Sequence, residues 1–131
     1  MQLKFRQIAG VFAVCRLAPD APIPALSDTA SFLSITRTDD ELSIVCAADH
    51  VPENAKCEFS WICFKLEGPF PFNLTGVLAS FLDPLASAGI PIFAVSTFDT
   101  DYVMVRDESV TATLTALRDA GHEFLSGPVP V

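Results

Sequence analysis

In residues 59–125 the spacing of apolar residues alternates between that of strands and that of helices, in an order that few folds share. The strand-like run FSWICFKL ends at EGPFPFN, and two further strand-like runs, IPIFAVSTF and DYVMVRD, flank an acidic bend. Helical spacing of apolar residues separates the first run from the second and follows the third, before the short run HEFL. This β-α-β-β-α-β order predicts a ferredoxin-like α+β unit, with two helices on one face of an antiparallel sheet.

The first predicted helix has recognisable ends. Asn73 or Thr75 should act as its N-cap, and Gly89 should stop it. Pro84 lies inside the pattern, where it removes a helical donor, so a kink or break is expected there. The apolar face of this helix comprises Val77, Leu78, Phe81, Leu82 and Leu85.

The N-terminal half contains a similar but shorter set of elements. Strand-like runs cover residues 12–17, 32–37 and 41–47, and the polar letters TDD suit a tight turn between the last two. A proline-rich stretch follows the first run, and only residues 25–30 within it could be helical. Most of the first helix is therefore expected to be missing from this half.

A repeat relates the two halves. ITRTDDELSIV aligns without a gap with VSTFDTDYVMV, so that Glu41 lies over Asp101 and Asp39 over Asp99. Two hairpins of one type also occur by chance, but the matching order of elements strengthens the relationship. We therefore predict two related units in tandem, a shortened one over residues 1–57 and a complete one over residues 58–131.

The charge composition of the chain limits which kinds of molecule it is expected to bind. The 131 residues include 8 basic and 16 acidic side chains, a formal charge of -8, which disfavours nucleic acid and anionic membranes. A cationic or zwitterionic small molecule is more compatible. No apolar run reaches the roughly 18 residues that span a bilayer, and Arg16 interrupts the apolar N-terminal stretch, which we interpret as a first strand rather than a signal peptide. A cytoplasmic protein is expected.

The four cysteines form no CxxC pair, and His50 and His122 are isolated in the sequence. Zinc sites need ligands at close, repeated spacings, so no metal or other cofactor is predicted. Buried structural thiols in a reducing compartment are the simpler interpretation. No cysteine or histidine belongs to a recognised catalytic motif, and we expect no enzyme activity.

The long stretch LTGVLASFLDPLASAGIPIFAVSTFDTDYVMVRDESVTATLTALRDAGHEF resembles the tandem ACT-domain proteins, including small bacterial members and cytosolic amino-acid sensors. TRTDDELSIV is similar to their first-half hairpin, and STFDTDY is similar to a strand of the aspartokinase regulatory region. The resemblance implies that two ACT-like units pack side by side and bind an amino acid at their interface. It also implies that the acidic residue at the position of Asp101 contacts the ligand.

The residues suggest how a zwitterion could be bound. PFNLTGV offers backbone N–H groups at a helix start, where the helix dipole favours a carboxylate. Asp101 or Asp99 could accept charge-assisted hydrogen bonds from an ammonium group. The predicted ligand-binding residues are Phe72, Asn73, Leu74, Thr75, Gly76, Ser96, Thr97, Asp99 and Asp101.

Simpler roles remain open for most of these residues. Asp99 and Asp101 could only shape a turn, and Asn73 and Thr75 could only cap the helix. Phenylalanines near the bend are more often core residues than pocket walls. The alternative function is a protein–protein interaction or oligomerisation module without a ligand, and a homodimer is plausible under either function.

Overall fold

The computed structural model describes residues 1–26 and 30–125, which divide into two compact units. The unit that we call the helical unit comprises Met1–Ala9 and the described residues from Ile62 onward, and the β unit comprises Gly10–Trp61. The elements in chain order are β1 (Lys4–Gln7), β2 (Phe12–Leu17), β3 (Ser34–Arg37), β4 (Leu42–Ala47), β5 (Lys56–Leu66), α1 (Val77–Ser87), β6 (Phe93–Ser96), β7 (Asp101–Arg106), the short 3-10 helix Asp107–Ser109, α2 (Val110–Asp119) and β8 (Glu123–Phe124).

The helical unit has the predicted β-α-β-β-α-β order from β5 to β8, and the α+β, ferredoxin-like class is confirmed. Its strands run in the order β6-β7-β5-β1-β8. Strand β1 was not predicted: it pairs antiparallel with β5, through Phe5 and Leu66, and parallel with β8. The N-terminal stretch predicted as one strand therefore forms two, because Gly10, with φ 103°, interrupts it before β2.

The core of the helical unit is built around Phe5. Its ring is fully buried and makes edge contacts with Phe64 and Phe81, at centroid distances of 5.8 and 5.3 Å. Val77, Phe81 and Leu85 supply the buried face of α1, as the helical spacing predicts. Helices α1 and α2 contact each other, and Leu117 of α2 joins the same core.

Helix α1 differs from expectation at its start and at Pro84. Gly76, with φ 83°, occupies the N-cap position, and no side chain makes a capping hydrogen bond there, so the predicted caps Asn73 and Thr75 are wrong. The helix also continues through Pro84 without a break. The carbonyl of Ser80, which Pro84 cannot bond, accepts a hydrogen bond from His122 Nε2 at 2.9 Å. Gly89, with φ 72°, follows the helix as predicted.

The β unit is an antiparallel sheet in the order β3-β4-β2-β5. Its core contains Leu42, Ile44 and three small or sulfur-bearing residues, Ala13, Cys15 and Cys46. Within residues 10–26 and 30–61 no helix is formed. The helix predicted within residues 25–30 lies partly outside the described ranges, and the described residues of that stretch are not helical. In the ranges that the structure describes, no helix is long and apolar enough to cross a membrane.

Candidate ligand-binding cleft

A cleft of about 250 Å³ lies in the helical unit, between the segment that follows β5 and the loop that joins β6 to β7. We call it the hairpin cleft. The residues that line it are Phe70, Pro71, Phe72, Leu74, Val77, Ser96, Thr97, Phe98, Asp99, Thr100 and Asp101. It therefore combines an apolar wall from the segment before α1 with a polar, acidic wall from the hairpin.

The hairpin loop is held by its two threonines. The Thr97 N–H donates to the Thr100 carbonyl at 2.8 Å, and the Thr97 hydroxyl donates to the same oxygen at 3.0 Å. The Thr100 hydroxyl is buried and donates to the Leu66 carbonyl at 2.7 Å, which fastens the loop to the end of β5. Buried polar groups require such partners. The loop is consequently ordered by threonine bonds that involve neither aspartate side chain.

The opposite wall approaches the hairpin closely at Gly68. A Cβ atom built on this glycine would lie 2.9 Å from the Asp99 carbonyl oxygen, closer than side chains are tolerated. Two residues later, the Phe70 N–H donates to that same oxygen at 2.9 Å. Pro69 follows a cis peptide bond. The backbone of Asp99 is thus fixed by the segment after β5, whereas its side chain is exposed.

Asp101 is the better placed of the two carboxylates. It is half-buried at the start of β7, and its Oδ1 accepts a hydrogen bond from the Ser96 hydroxyl, the residue directly opposite on β6. A carboxylate has further acceptor positions, so this bond orients Asp101 without saturating it. None of the residues that line the cleft is lysine, arginine or histidine. The carboxylates therefore have no cationic partner within the cleft.

The acidic character extends to the neighbouring tyrosine. Burial raises the pKa of Tyr102, and the charges of Cys63, Asp99 and Glu67 raise it further. The Cys63 thiol is protonated at neutral pH because burial raises its pKa, so the negative potential at this end of the sheet comes from the carboxylates of Asp99 and Glu67. Such a potential attracts a cationic group.

Two phenylalanines at the cleft are exposed rather than buried. Phe72 is 76% and Phe98 77% exposed, and their rings meet edge to face with centroids 4.8 Å apart. The general preference of phenylalanine for core positions therefore does not hold for these two residues, of which Phe72 was also predicted to bind the ligand. Phe70 is half-buried and packs against the core. An exposed pair of large apolar rings beside carboxylates is typical of a binding surface.

The predicted ligand-binding residues separate into two groups. Six of them line the cleft: Phe72, Leu74, Ser96, Thr97, Asp99 and Asp101. The other three, Asn73, Thr75 and Gly76, lie exposed on the same segment but are not part of the lining. Five lining residues were not among the predicted ones: Phe70, Pro71, Val77, Phe98 and Thr100. Thr100 acts through a bond to distant Leu66, and Val77 was assigned to the apolar face of α1.

The start of α1 borders the cleft through Val77, its first residue. The first N–H groups of any α-helix have no acceptor within the helix, and here no side chain caps them. These donors and the positive end of the helix dipole favour an anionic group. The cleft thus has two carboxylates on one wall and lies next to the uncapped start of α1 at Val77.

Neither histidine lines the hairpin cleft. Both ring nitrogens of His122 are bonded, Nδ1 to the Leu3 N–H at 3.1 Å and Nε2 to the Ser80 carbonyl. His50 is exposed beside Asp49 in the β unit. Within residues 1–26 and 30–125, no group of three histidine, cysteine or acidic side chains is arranged to hold a metal ion.

The fold is of the ACT type, and comparison with known proteins gives the family. The ACT-domain model matches residues 56–119, and a second model, described as an N-terminal domain, matches residues 10–54. A protein from Agobacterium tumefaciens with an X-ray structure is 44% identical, with a TM-score of 0.89 over 96% of this chain and 94% of that chain. The chain belongs to the ACT-domain proteins.

Two further relatives are more distant. The cytosolic arginine sensor for mTORC1 subunit 1 of Bos taurus is 24% identical over 114 residues, which are 76% of this chain and 35% of that protein. The chain thus spans about a third of the length of this relative. The regulatory subunit of aspartate kinase from Thermus thermophilus is 13% identical with a TM-score of 0.58, over 85% of this chain and 93% of that chain, and it shares the fold.

Proposed function

We propose that this chain is a regulatory or sensor module that binds a free amino acid in the hairpin cleft. The observation that carries the proposal is the meeting of two opposite features in one cleft. The carboxylates of Asp99 and Asp101 line one wall, and the first residue of α1, Val77, lines the other. A zwitterion has one group for each feature.

The chemistry of binding follows from these walls. The ligand carboxylate accepts hydrogen bonds from the first N–H groups of α1, where the dipole stabilises negative charge. The ligand ammonium donates to Asp101, which Ser96 already orients, and charge-assisted bonds of this kind are roughly twice as strong as neutral ones. Phe72, Phe98 and Leu74 provide the apolar surface for the ligand side chain.

Two relatives support this class of ligand. One is a cytosolic arginine sensor, and another is the regulatory subunit of aspartate kinase. We also propose that a second ACT-like unit covers the ligand, that the protein is a homodimer, and that it acts in the cytoplasm without enzyme activity of its own. Division into units over residues 1–57 and 58–131 remains part of this proposal.

Thermal unfolding in the presence of each standard amino acid tests the proposal. A ligand that binds only the folded state at 100 times its Kd stabilises the protein by about 2.7 kcal/mol. We expect one or a few amino acids to raise the Tm of the wild type. Asp101→Ala should remove that rise, whereas Asp39→Ala, in the exposed hairpin loop of the β unit, should leave it intact.

The outcomes separate three interpretations. A panel in which no amino acid raises the Tm would contradict the sensor function and favour an interaction module. A Tm rise that persists in folded Asp101→Ala would retain amino-acid binding but refute the hairpin cleft as its site. Circular dichroism of each variant establishes that it is folded before its Tm is compared.

A further inference from the structure

Three of the four cysteines lie together in the core of the β unit. Cys15 on β2 is directly opposite Cys57 on β5, and their Sγ atoms are 2.6 Å apart. Cys46, on β4, packs in the same cluster and is close enough to Cys15 to hydrogen-bond with it. This grouping was not evident from the sequence, because the three residues belong to three different strands.

The Cys15 and Cys57 pair has the placement that a disulfide requires. Directly opposite residues of antiparallel strands have Cα atoms about 4.5–5.5 Å apart, within the roughly 4.4–6.8 Å range of disulfides. The sulfur separation exceeds a covalent S–S bond by only about 0.6 Å. The bond can therefore form by small side-chain rotations, without separation of β2 from β5.

The two thiols differ in their access to reagents. Cys57 is half-buried, whereas Cys15 and Cys46 are only 2% exposed. Burial raises the pKa of both Cys15 and Cys46, so these two thiols remain protonated at neutral pH and do not start a reaction. A reagent from solution consequently meets Cys57 first.

We propose that Cys57 and Cys15 form a thiol-modification site that reacts with low-molecular-weight disulfides and closes to an intramolecular disulfide. In the first step the Cys57 thiolate attacks one sulfur of oxidised glutathione, its S–S bond breaks, and one glutathione thiolate leaves. In the second step Cys15 attacks Cys57 Sγ, displaces the second glutathione, and releases its proton to that leaving thiolate. Two protein thiols are oxidised, and one glutathione disulfide is reduced to two thiols.

Close placement makes the second step intramolecular. Because β-sheet pairing holds Cys15 against Cys57, the mixed disulfide is attacked from within the molecule rather than by a thiol from solution. Cys46 is a third thiol beside the pair, but it lies opposite Ala13 rather than Cys57. We therefore assign the resolving role to Cys15. This site lies entirely in the β unit and does not depend on amino-acid binding.

Cys63 provides a matched internal control. It lies on β5, the strand that also carries Cys57, but it is fully buried in the helical unit, and burial raises its pKa to about 12. The same strand thus carries one thiol that reagents reach and one that they do not. Reaction at Cys57 but not at Cys63 would show that the reaction is specific to the proposed site, rather than a general reactivity of the thiols of this protein.

The experiment treats the folded full chain with oxidised glutathione, then unfolds it in urea containing N-ethylmaleimide to block the remaining thiols, and measures intact and peptide masses. Digestion after lysine, arginine and glutamate separates Cys57 from Cys63, because Glu58 lies between them. We expect one Cys15–Cys57 cross-link and two alkylated cysteines, without retained glutathione. Cys15→Ser should accumulate the glutathione adduct at Cys57, and Cys57→Ser should lose both products.

Two further variants separate the proposal from its alternatives. Cys46→Ser and Cys63→Ser should both form the same cross-link as the wild type. Three outcomes would each overturn the proposal. One is a cross-link that uses Cys46 or Cys63, and another is a stable glutathione adduct in the wild type. The third is a native protein whose thiols do not react although all four react in the urea-unfolded chain. Mapping the wild type alone decides these outcomes, so the test does not require every variant to fold.

Discussion

The replacement of His122 by phenylalanine should reveal how the helical unit tolerates a proline inside α1. The Leu3 N–H can only donate, so Nδ1 of the buried ring accepts that bond and Nε2 carries the hydrogen donated to the Ser80 carbonyl. Phenylalanine retains the ring, which packs on Phe81 at a centroid distance of 5.7 Å, but it removes both bonds. Pro84 provides no replacement donor for Ser80.

The expected loss of stability follows from the two groups left without partners. An unsatisfied buried polar group costs about 1–3 kcal/mol and a typical hydrogen bond contributes about 0.5–1.5 kcal/mol, so loss of the buried Leu3 bond and the part-buried Ser80 bond in His122→Phe should lower the free energy of unfolding by about 1.5–4.5 kcal/mol. That is a large part of the roughly 5–15 kcal/mol of a typical domain. Pro84→Ala restores an N–H four residues after Ser80. In that background, the same substitution at His122 should cost about 0.5–1.5 kcal/mol less, because the part-buried Ser80 carbonyl keeps a donor.

Urea unfolding followed by the helical circular dichroism signal measures these differences. Both helices, α1 and α2, belong to the helical unit, so the signal of the described helices reports the unit that contains His122. His50→Phe, at an exposed position, is the control and should change stability by less than about 0.5 kcal/mol. Equal costs of His122→Phe in the wild type and in the Pro84→Ala background would refute the shared role of Ser80.

Three other perturbations have defined outcomes. Gly68→Ala should destabilise the protein by about 1–3 kcal/mol and displace the hairpin loop, because the new Cβ meets the Asp99 carbonyl at 2.9 Å; unchanged amide NMR shifts in the loop would contradict this. Phe81→Ala should cost about 3–5 kcal/mol in urea unfolding, but exposed Phe72→Ala under about 0.5 kcal/mol. Burial raises the pKa of Cys63 from 9.0 to about 12, so its contribution to stability is complete below pH 9 and is lost as pH rises toward 12. Over that range the free energy of unfolding should fall by up to about 1.4 kcal/mol per pH unit because of this thiol. Urea unfolding at alkaline pH should show that Cys63→Ala removes this part of the pH dependence.

The order of elements in the helical unit was predictable because hydrophobic period distinguishes a strand from a helix locally. Strand β1 was not predictable in this way. Its sequence, KFRQ, buries only Phe5 deeply, and it becomes a strand through pairing with β5 and β8, which lie far along the chain. The local sequence pattern cannot identify a strand whose stability depends on such distant partners.

The candidate site was predictable only in part, for a similar reason. Acidic residues between two strand runs identify the hairpin loop from the sequence alone, and Asp99 and Asp101 both line the cleft. The roles of Gly68 and Thr100 depend instead on contacts across the fold, a close approach to Asp99 and a bond to Leu66. No local rule assigns a glycine or threonine to such contacts before the sheet is assembled.

Strand register also corrects the repeat between the two hairpins. The gapless alignment places Glu41 over Asp101, whereas the closing pair of the β3–β4 hairpin is Arg37 with Leu42 and that of the β6–β7 hairpin is Ser96 with Asp101. Leu42 is therefore the structural counterpart of Asp101, and it is fully buried in the core. A shift of one residue exchanges the two faces of a strand. The β unit consequently lacks the carboxylate on which the proposed site depends.

This asymmetry predicts one amino-acid site per chain. In addition to having Leu42 where the helical unit has Asp101, the β unit forms no helix in residues 10–26 and 30–61 that could offer N-terminal amides to a ligand carboxylate. Isothermal titration with an amino acid that raises the Tm should give one equivalent bound per chain. Asp101→Ala should abolish the heat of binding, and Glu41→Ala should leave it unchanged. Two equivalents per chain, or loss of binding in Glu41→Ala, would show that the hairpins are functionally equivalent and that the register argument does not govern binding.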